Sequence, residues 1–237
     1  MSTIGVVLLH GKWDAPPFAI TPLADALNDA GHRTAVSTYP WALRRLYDRP
    51  LEEAMATIDA DVASLRENGC ARIVVCGHSL GAAVALAHAA QGAAADGLVL
   101  LAPGHFPERM AADGHTLAAL AIAQTQATGH ERIPLTDTFQ GTTRRIRMRP
   151  AHYLSYFDPV GALVWPDNMG RLEANLPLLW VVGDKDPAAG LGIDYAFTRK
   201  RRHPLDRHVC LPARHEETPA AAITVVTDWL KRLEETA

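Results

Sequence analysis

The chain has 237 residues, of which 48% are hydrophobic and 21% charged, and its formal net charge is -3. That is enough apolar material for a full core. It excludes disordered, collagen-like and disulfide-scaffold classes, and no overall basic field points to nucleic acid. Cys70, Cys76 and Cys210 are too few and too scattered for a disulfide framework and lack metal-ligand spacing, which fits a reducing, cytoplasmic setting. The run Ile4 to Leu9 lacks the basic start and the length of a signal peptide. The most apolar region, residues 82–102, holds His88, Gln91 and Asp96, so it does not read as a membrane span.

Short β-rich runs alternate with longer helical patterns. Ile4 to Leu9 is continuously apolar, as in a strand buried on both faces. Pro22 to Ala30 has a helical pattern stopped by Gly31, and Arg33 to Thr38 is a second candidate strand. In Leu51 to Glu67 the residues Ala54, Ile58, Val62 and Leu65 share one helical face, and Asn68-Gly69 closes it. Arg72 to Cys76 is a third strand, Leu80 to Ala90 a compact helix, and Gly97 to Leu101 a fourth strand. Leu178 to Val182 and Arg207 to Leu211 make a fifth and a sixth, and Thr218 to Leu233 closes the chain as an amphipathic helix.

This alternation predicts a three-layer α/β/α sandwich around a mostly or wholly parallel sheet of about six strands. Residues 103–175 break the rhythm, with a helix-compatible segment at Leu117 to Thr128 and prolines at 134, 150, 159 and 166. The simplest reading is one domain, residues 1–237, with a lid inserted at 103–175 after the fourth strand, since long excursions in compact domains are often functional.

Chemistry concentrates at three loops. Arg72 to Cys76 runs into Gly77-His78-Ser79-Leu80-Gly81 and then a helix, which is the G-x-S-x-G pattern in strand–turn–helix context. The two glycines leave room in a tight turn, so that Ser79 is exposed as a nucleophile at the carboxyl end of a central strand. A serine hydroxyl needs a base. Of the 11 histidines, His215 lies between the last strand and the last helix, at the same sheet end as Ser79. His88 sits too far along its helix, and His78 neighbours the nucleophile but points elsewhere. The base needs an acid to hold its tautomer. Asp184 and Asp186 both follow the fifth strand. Asp186 is favoured, because Gly183 first turns the chain, and Asp184 is assigned an Asx turn before Pro187.

The chain order Ser79, Asp186, His215 and the placement of these loops resemble the α/β-hydrolase superfamily, over nearly the whole chain. The family's usual sheet begins with two further strands, so this looks like a trimmed member. The resemblance implies an oxyanion hole made by the backbone N–H groups of Leu80 and of Lys12, with Trp13 as fallback, in the segment Leu8-Leu9-His10-Gly11-Lys12-Trp13. Losing one such donor typically costs about 2.7–4 kcal/mol in the transition state. His10 is assigned the task of holding that loop. Trp13 and His78 are candidate substrate contacts.

The implied activity is cleavage of a small-molecule carboxylic ester through an acyl-enzyme on Ser79, with no metal or organic cofactor. A thioesterase or acyltransferase needs the same three residues. A receptor-like member would bind a ligand with negligible turnover. Dehalogenases and epoxide hydrolases are disfavoured, because those branches place aspartate at the elbow. Two basic runs, Arg144 to Arg149 and Arg199 to His203, read as solvated faces. If they flank the mouth they favour an anionic substrate.

Overall fold

The computed structural model describes residues 3–139 and 142–236. The apolar runs become strands in which alternate residues face opposite sides of one sheet. Ile4, Val6 and Leu8 of β1 (Ile4–Leu9) pack with one half of the core, while Val7 and Leu9 pack with the other. Both faces are therefore covered, as a continuous apolar run requires.

On one face lie α1 (Thr21–Asp29), α8 (Thr218–Ala221) and α9 (Ile223–Glu235), through Leu23, Leu27, Ala222, Val226 and Trp229. On the other lie α2 (Leu51–Glu67) and α3 (Leu80–Ala90). Helix α2 starts with Glu52 and Glu53 and ends with Arg66, charges that suit the helix dipole. Helix α3 is buried on all sides from Leu80 to Ala89, which its alanine-rich sequence permits.

The sheet order is β2 (Arg33–Ala35), β1, β3 (Arg72–His78), β4 (Gly97–Leu101), β7 (Leu178–Gly183), β8 (Arg207–Leu211), and every pairing is parallel. The chain runs outward from β1 to β2 and returns past it to β3. Such a reversal opens a crevice at the carboxyl ends of the two central strands, the usual ligand position in open α/β sheets.

Between β4 and β7 the chain forms α4 (Pro107–Ala112), α5 (Leu117–Thr125), β5 (Ile133–Phe139), β6 (Thr142–Met148), α6 (Pro150–Phe157) and α7 (Trp165–Arg171). Strands β5 and β6 form a separate antiparallel pair, with Asp137 opposite Arg144. The sequence pattern predicts no strand here. The period-two signal exists, with Leu135, Asp137, Ile146 and Met148 buried between more exposed neighbours. It is masked by the arginines and by a buried aspartate, which reads as polar in any pattern.

Three boundaries also differ. The second strand is only three residues, because the chain leaves the sheet edge after Ala35 to brace the loop after β1. The segment expected to be helical to Thr128 stops at Thr125. The last helix is two, joined at buried Ala222. Among the described residues no helix is long and apolar enough to cross a membrane.

Candidate active site

Ser79 sits between β3 and α3 with φ 56° and ψ −118°, a left-handed conformation that is costly for a non-glycine residue. Its neighbours impose it. A Cβ on Gly77 would lie 2.2 Å from the Gly81 carbonyl oxygen, and one on Gly81 would lie 2.5 Å from that of Leu9. Strand, helix and the end of β1 thus touch backbone to backbone, which only glycine allows. The Ser79 N–H donates to the Leu101 carbonyl at 3.0 Å, tying the turn to β4.

The loops after β7 and β8 are joined to each other. The N–H of Asp184 donates to Leu211, and that of Lys185 to Ala213. A Cβ on Gly183 would be 2.2 Å from the Ala213 oxygen, so this approach also needs a glycine. These contacts bring together the three side chains expected from sequence. His215 Nδ1 is 2.7 Å from Asp186 Oδ2, and His215 Nε2 is 2.8 Å from Ser79 Oγ. A carboxylate only accepts, so Nδ1 carries the proton and Nε2 is free to accept the Ser79 hydroxyl proton. All three residues are buried. Asp184 is exposed, and the Asx turn assigned to it belongs to Asp186, whose Oδ1 accepts from the Ala188 N–H at 2.9 Å. One carboxylate therefore caps its own loop with one oxygen and orients His215 with the other.

The loop after β1 lies against the elbow, where a Cβ on Gly11 would be 3.0 Å from His78 Nδ1 and 3.4 Å from Ser79 Cβ. His10 braces this loop. Its Nε2 accepts from the Tyr39 N–H at 3.0 Å, its Nδ1 donates to the Gly11 carbonyl, and its ring stacks on Phe18. Burial lowers its pKa, which keeps Nε2 an acceptor. The Trp13 N–H donates to the Trp41 carbonyl at 2.9 Å, so the fallback oxyanion donor is already engaged. Among the described residues the Lys12 N–H has no such backbone acceptor. Leu80 is the first residue of α3, where an N–H has no intrahelical partner.

His78 is buried, and its Nε2–H donates to the His215 carbonyl at 3.1 Å. Burial is the main reason its pKa is pushed down to about 3, so the ring is neutral. It borders a cavity of about 260 Å³ together with Trp13, Ser79 and Phe139. A second cavity, of about 290 Å³, also reaches Ser79 and His215 and is walled by Phe106, Met110, Pro187 and Leu191. Gly104 stands between its wall and the serine, where a Cβ would be 2.8 Å from Ser79 Oγ. The cavities have polar and apolar walls within reach of a hydroxyl paired to a base, an arrangement suited to acyl transfer.

The model of the alpha/beta hydrolase family matches residues 6–224. The chain belongs to that family. Solved structures agree at the level of fold. A monoacylglycerol lipase from Paleococcus ferrophilus is 19% identical, covering 98% of this chain and 97% of the other with a TM-score of 0.70. Est1E from Butyrivibrio proteoclasticus, with ferulic acid bound, is 15% identical over 99% and 90%, TM-score 0.67. The thioesterase domain of the curacin biosynthetic pathway is 16% identical over 97% and 91%, TM-score 0.56. A sequence search of curated proteins finds no match.

Two features of this site were not legible in the sequence. Gly104 carries no motif, and its closeness to Ser79 depends on how β4 ends. The family resemblance points to Lys12 for its backbone alone, yet its side chain is buried, with Nζ 2.6 Å from Asp137 Oδ1 on β5. Arg144, on β6, lies over the Trp13 ring at 5.0 Å, so one member of the first basic run touches a wall residue of the smaller cavity. In the second run Lys200 is buried and paired with Asp206 at 3.0 Å, which makes it structural.

Proposed function

We propose that this chain is a serine hydrolase that cleaves a small-molecule carboxylic ester through an acyl-enzyme on Ser79. The single observation that carries this reading is the hydrogen-bonded line Asp186–His215–Ser79, with both links shorter than 3 Å. As Ser79 Oγ attacks the acyl carbon, its proton passes to His215 Nε2, and Asp186 stabilises the imidazolium. The backbone N–H groups of Leu80 and Lys12 hold the oxyanion. His215 returns the proton to the departing alkoxide as the carbon–oxygen bond breaks. Water then gives its proton to His215 and attacks the acyl-enzyme, and Ser79 leaves as the hydroxyl.

The two cavities give the reading its substrate shape, with one for the acyl part and one for the alcohol. Residues 103–175 act in it as a cap, since Phe139 of β5 walls both cavities and Arg109 and Met110 of α4 wall the larger. The fold is shared with proteins named as a lipase and a thioesterase, so a thioester enters the same test.

That test is hydrolysis of p-nitrophenyl esters of graded acyl length and of matched thioesters, wild type beside Ser79→Ala, with a fluorophosphonate label on each. Turnover and labelling of wild type alone are expected. Labelling without turnover would mean a competent serine facing the wrong substrate class. Neither would favour a receptor-like protein and end the hydrolase reading.

A further inference from the structure

Lys12 and Asp137 are 125 positions apart and meet inside the protein. The lysine side chain is 5% exposed and the aspartate 0%. Lys12 Nζ donates to Asp137 Oδ1 at 2.6 Å and to the Thr138 carbonyl at 2.8 Å. Asp137 Oδ1 also accepts the Thr138 N–H at 2.7 Å, and its Oδ2 accepts the Tyr47 hydroxyl at 2.9 Å. Burial pulls the Lys12 ammonium below its ordinary pKa while Asp137 opposes that shift. A pair this buried is a weak source of stability, because desolvating two charges offsets their attraction. Its place in the fold suggests a different use.

Lys12 is the residue whose N–H is proposed to hold the oxyanion, and the chain turns left-handed immediately after it, with Trp13 at φ 53°. Such a conformation persists only where its surroundings over-determine it. Two tethers do so. The Trp13 N–H is held by Trp41, and the Lys12 side chain is held by β5. The same Asp137 binds Tyr47, from the segment whose Tyr39 and Trp41 brace His10 and Trp13. The excursion between β4 and β7 thus reaches back to fix a loop of the sheet.

We infer that Asp137 is a positioning residue. Through its ion pair with Lys12, the β5–β6 pair holds the Lys12 backbone N–H in place for the developing oxyanion. The inference rests on the serine-hydrolase reading and adds a residue to it. A displacement of about 1 Å in a catalytic group can cost on the order of 10²-fold in rate.

The decisive variant is Lys12→Met/Asp137→Leu, which removes both charges, leaves neither unpaired and keeps the backbone donor. Sites are first titrated with a fluorophosphonate, so that kcat is read per competent serine. Expected are a fall in kcat of about 10- to 100-fold, a KM within about threefold of wild type, and a Ki for an aryl trifluoromethyl ketone raised by the factor lost in kcat. A purely structural role would lower the titratable fraction or the Tm and leave kcat per site and Ki unchanged, and that result overturns the proposal. If the double variant does not fold, Tyr47→Phe decides instead. It removes one hydrogen bond to Asp137, and kcat per site should fall severalfold with KM held, whereas an unchanged kcat again overturns the idea. A wild type that neither labels nor turns over would remove the hydrolase reading itself, a failure distinct from an unaltered variant of an active enzyme.

Discussion

His78 donates its Nε2–H to the backbone carbonyl of His215, so the residue before Ser79 holds the loop that carries His215. The two rings lie 5.2 Å apart, and burial first, then the neighbouring His215, keep His78 neutral. The strand that presents Ser79 therefore also sets the height of His215 above it.

This arrangement gives a signed pH dependence. The His78 pKa is about 3 in the folded chain against an ordinary 6.5, so the unfolded chain binds a proton that the folded one refuses. Stability from this group is complete above about pH 6.5 and is lost as pH falls toward 3, at about 1.4 kcal/mol per unit. His10 and His105, lowered mainly by burial, act in the same direction. Asp61 and Glu108, raised by burial, oppose them only near the carboxylate range. Urea unfolding at pH 7, 6 and 5 should show a loss of about 2 kcal/mol or more by pH 5. His78→Gln should flatten that slope, and equal slopes for the two proteins would refute the assignment.

Asp186→Asn should separate the two tasks of this carboxylate. The asparagine oxygen can still cap Ala188, but an amide presents no carboxylate to His215 Nδ1, so the wrong tautomer is favoured. We expect kcat to fall about 10⁴-fold with little change in Tm. A stopped assay with titrated sites measures the first and differential scanning fluorimetry the second. A large drop in Tm with normal kcat per site would reverse the order of importance.

Gly104 and Gly77 should respond differently to alanine. At Gly104 the new methyl would meet Ser79 Oγ at 2.8 Å, a mobile side-chain atom, together with His215 Cε1 at 3.3 Å. The protein should fold, and fluorophosphonate labelling should slow by on the order of 10²-fold. At Gly77 the methyl would meet the backbone of Gly81 at 2.2 Å, and soluble folded protein should not form. Normal labelling of Gly104→Ala would mean that the serine has more room than its neighbours indicate.

Arg144, stacked on Trp13 beside the smaller cavity, should matter for charged substrates alone. An exposed charge contact is worth on the order of 1 kcal/mol or less. Arg144→Gln should therefore raise KM about two- to fivefold for an ester bearing a carboxylate and leave a neutral ester unchanged. Added salt should have the same effect on wild type. An equal change for both esters would point to packing against Trp13.

Residues 51–67, 80–90 and 97–101 were legible from end to end because apolar spacing, glycine stops and burial agree there at short range. The elbow, His215 and Asp186 were legible for a related reason. Each follows a strand of the main sheet, and a parallel sheet brings the carboxyl ends of its strands together without regard to the details in between. The β5–β6 pair was not, because its stabilising contacts are distant. Asp137 is buried only because Lys12 and Tyr47 come to it, and a local reading scores a buried aspartate and a run of arginines as surface. The role of Lys12 divides along the same line. Its backbone N–H follows from where the loop after β1 must lie, whereas the path of its side chain depends on a partner 125 positions away that only the folded chain brings within 2.6 Å.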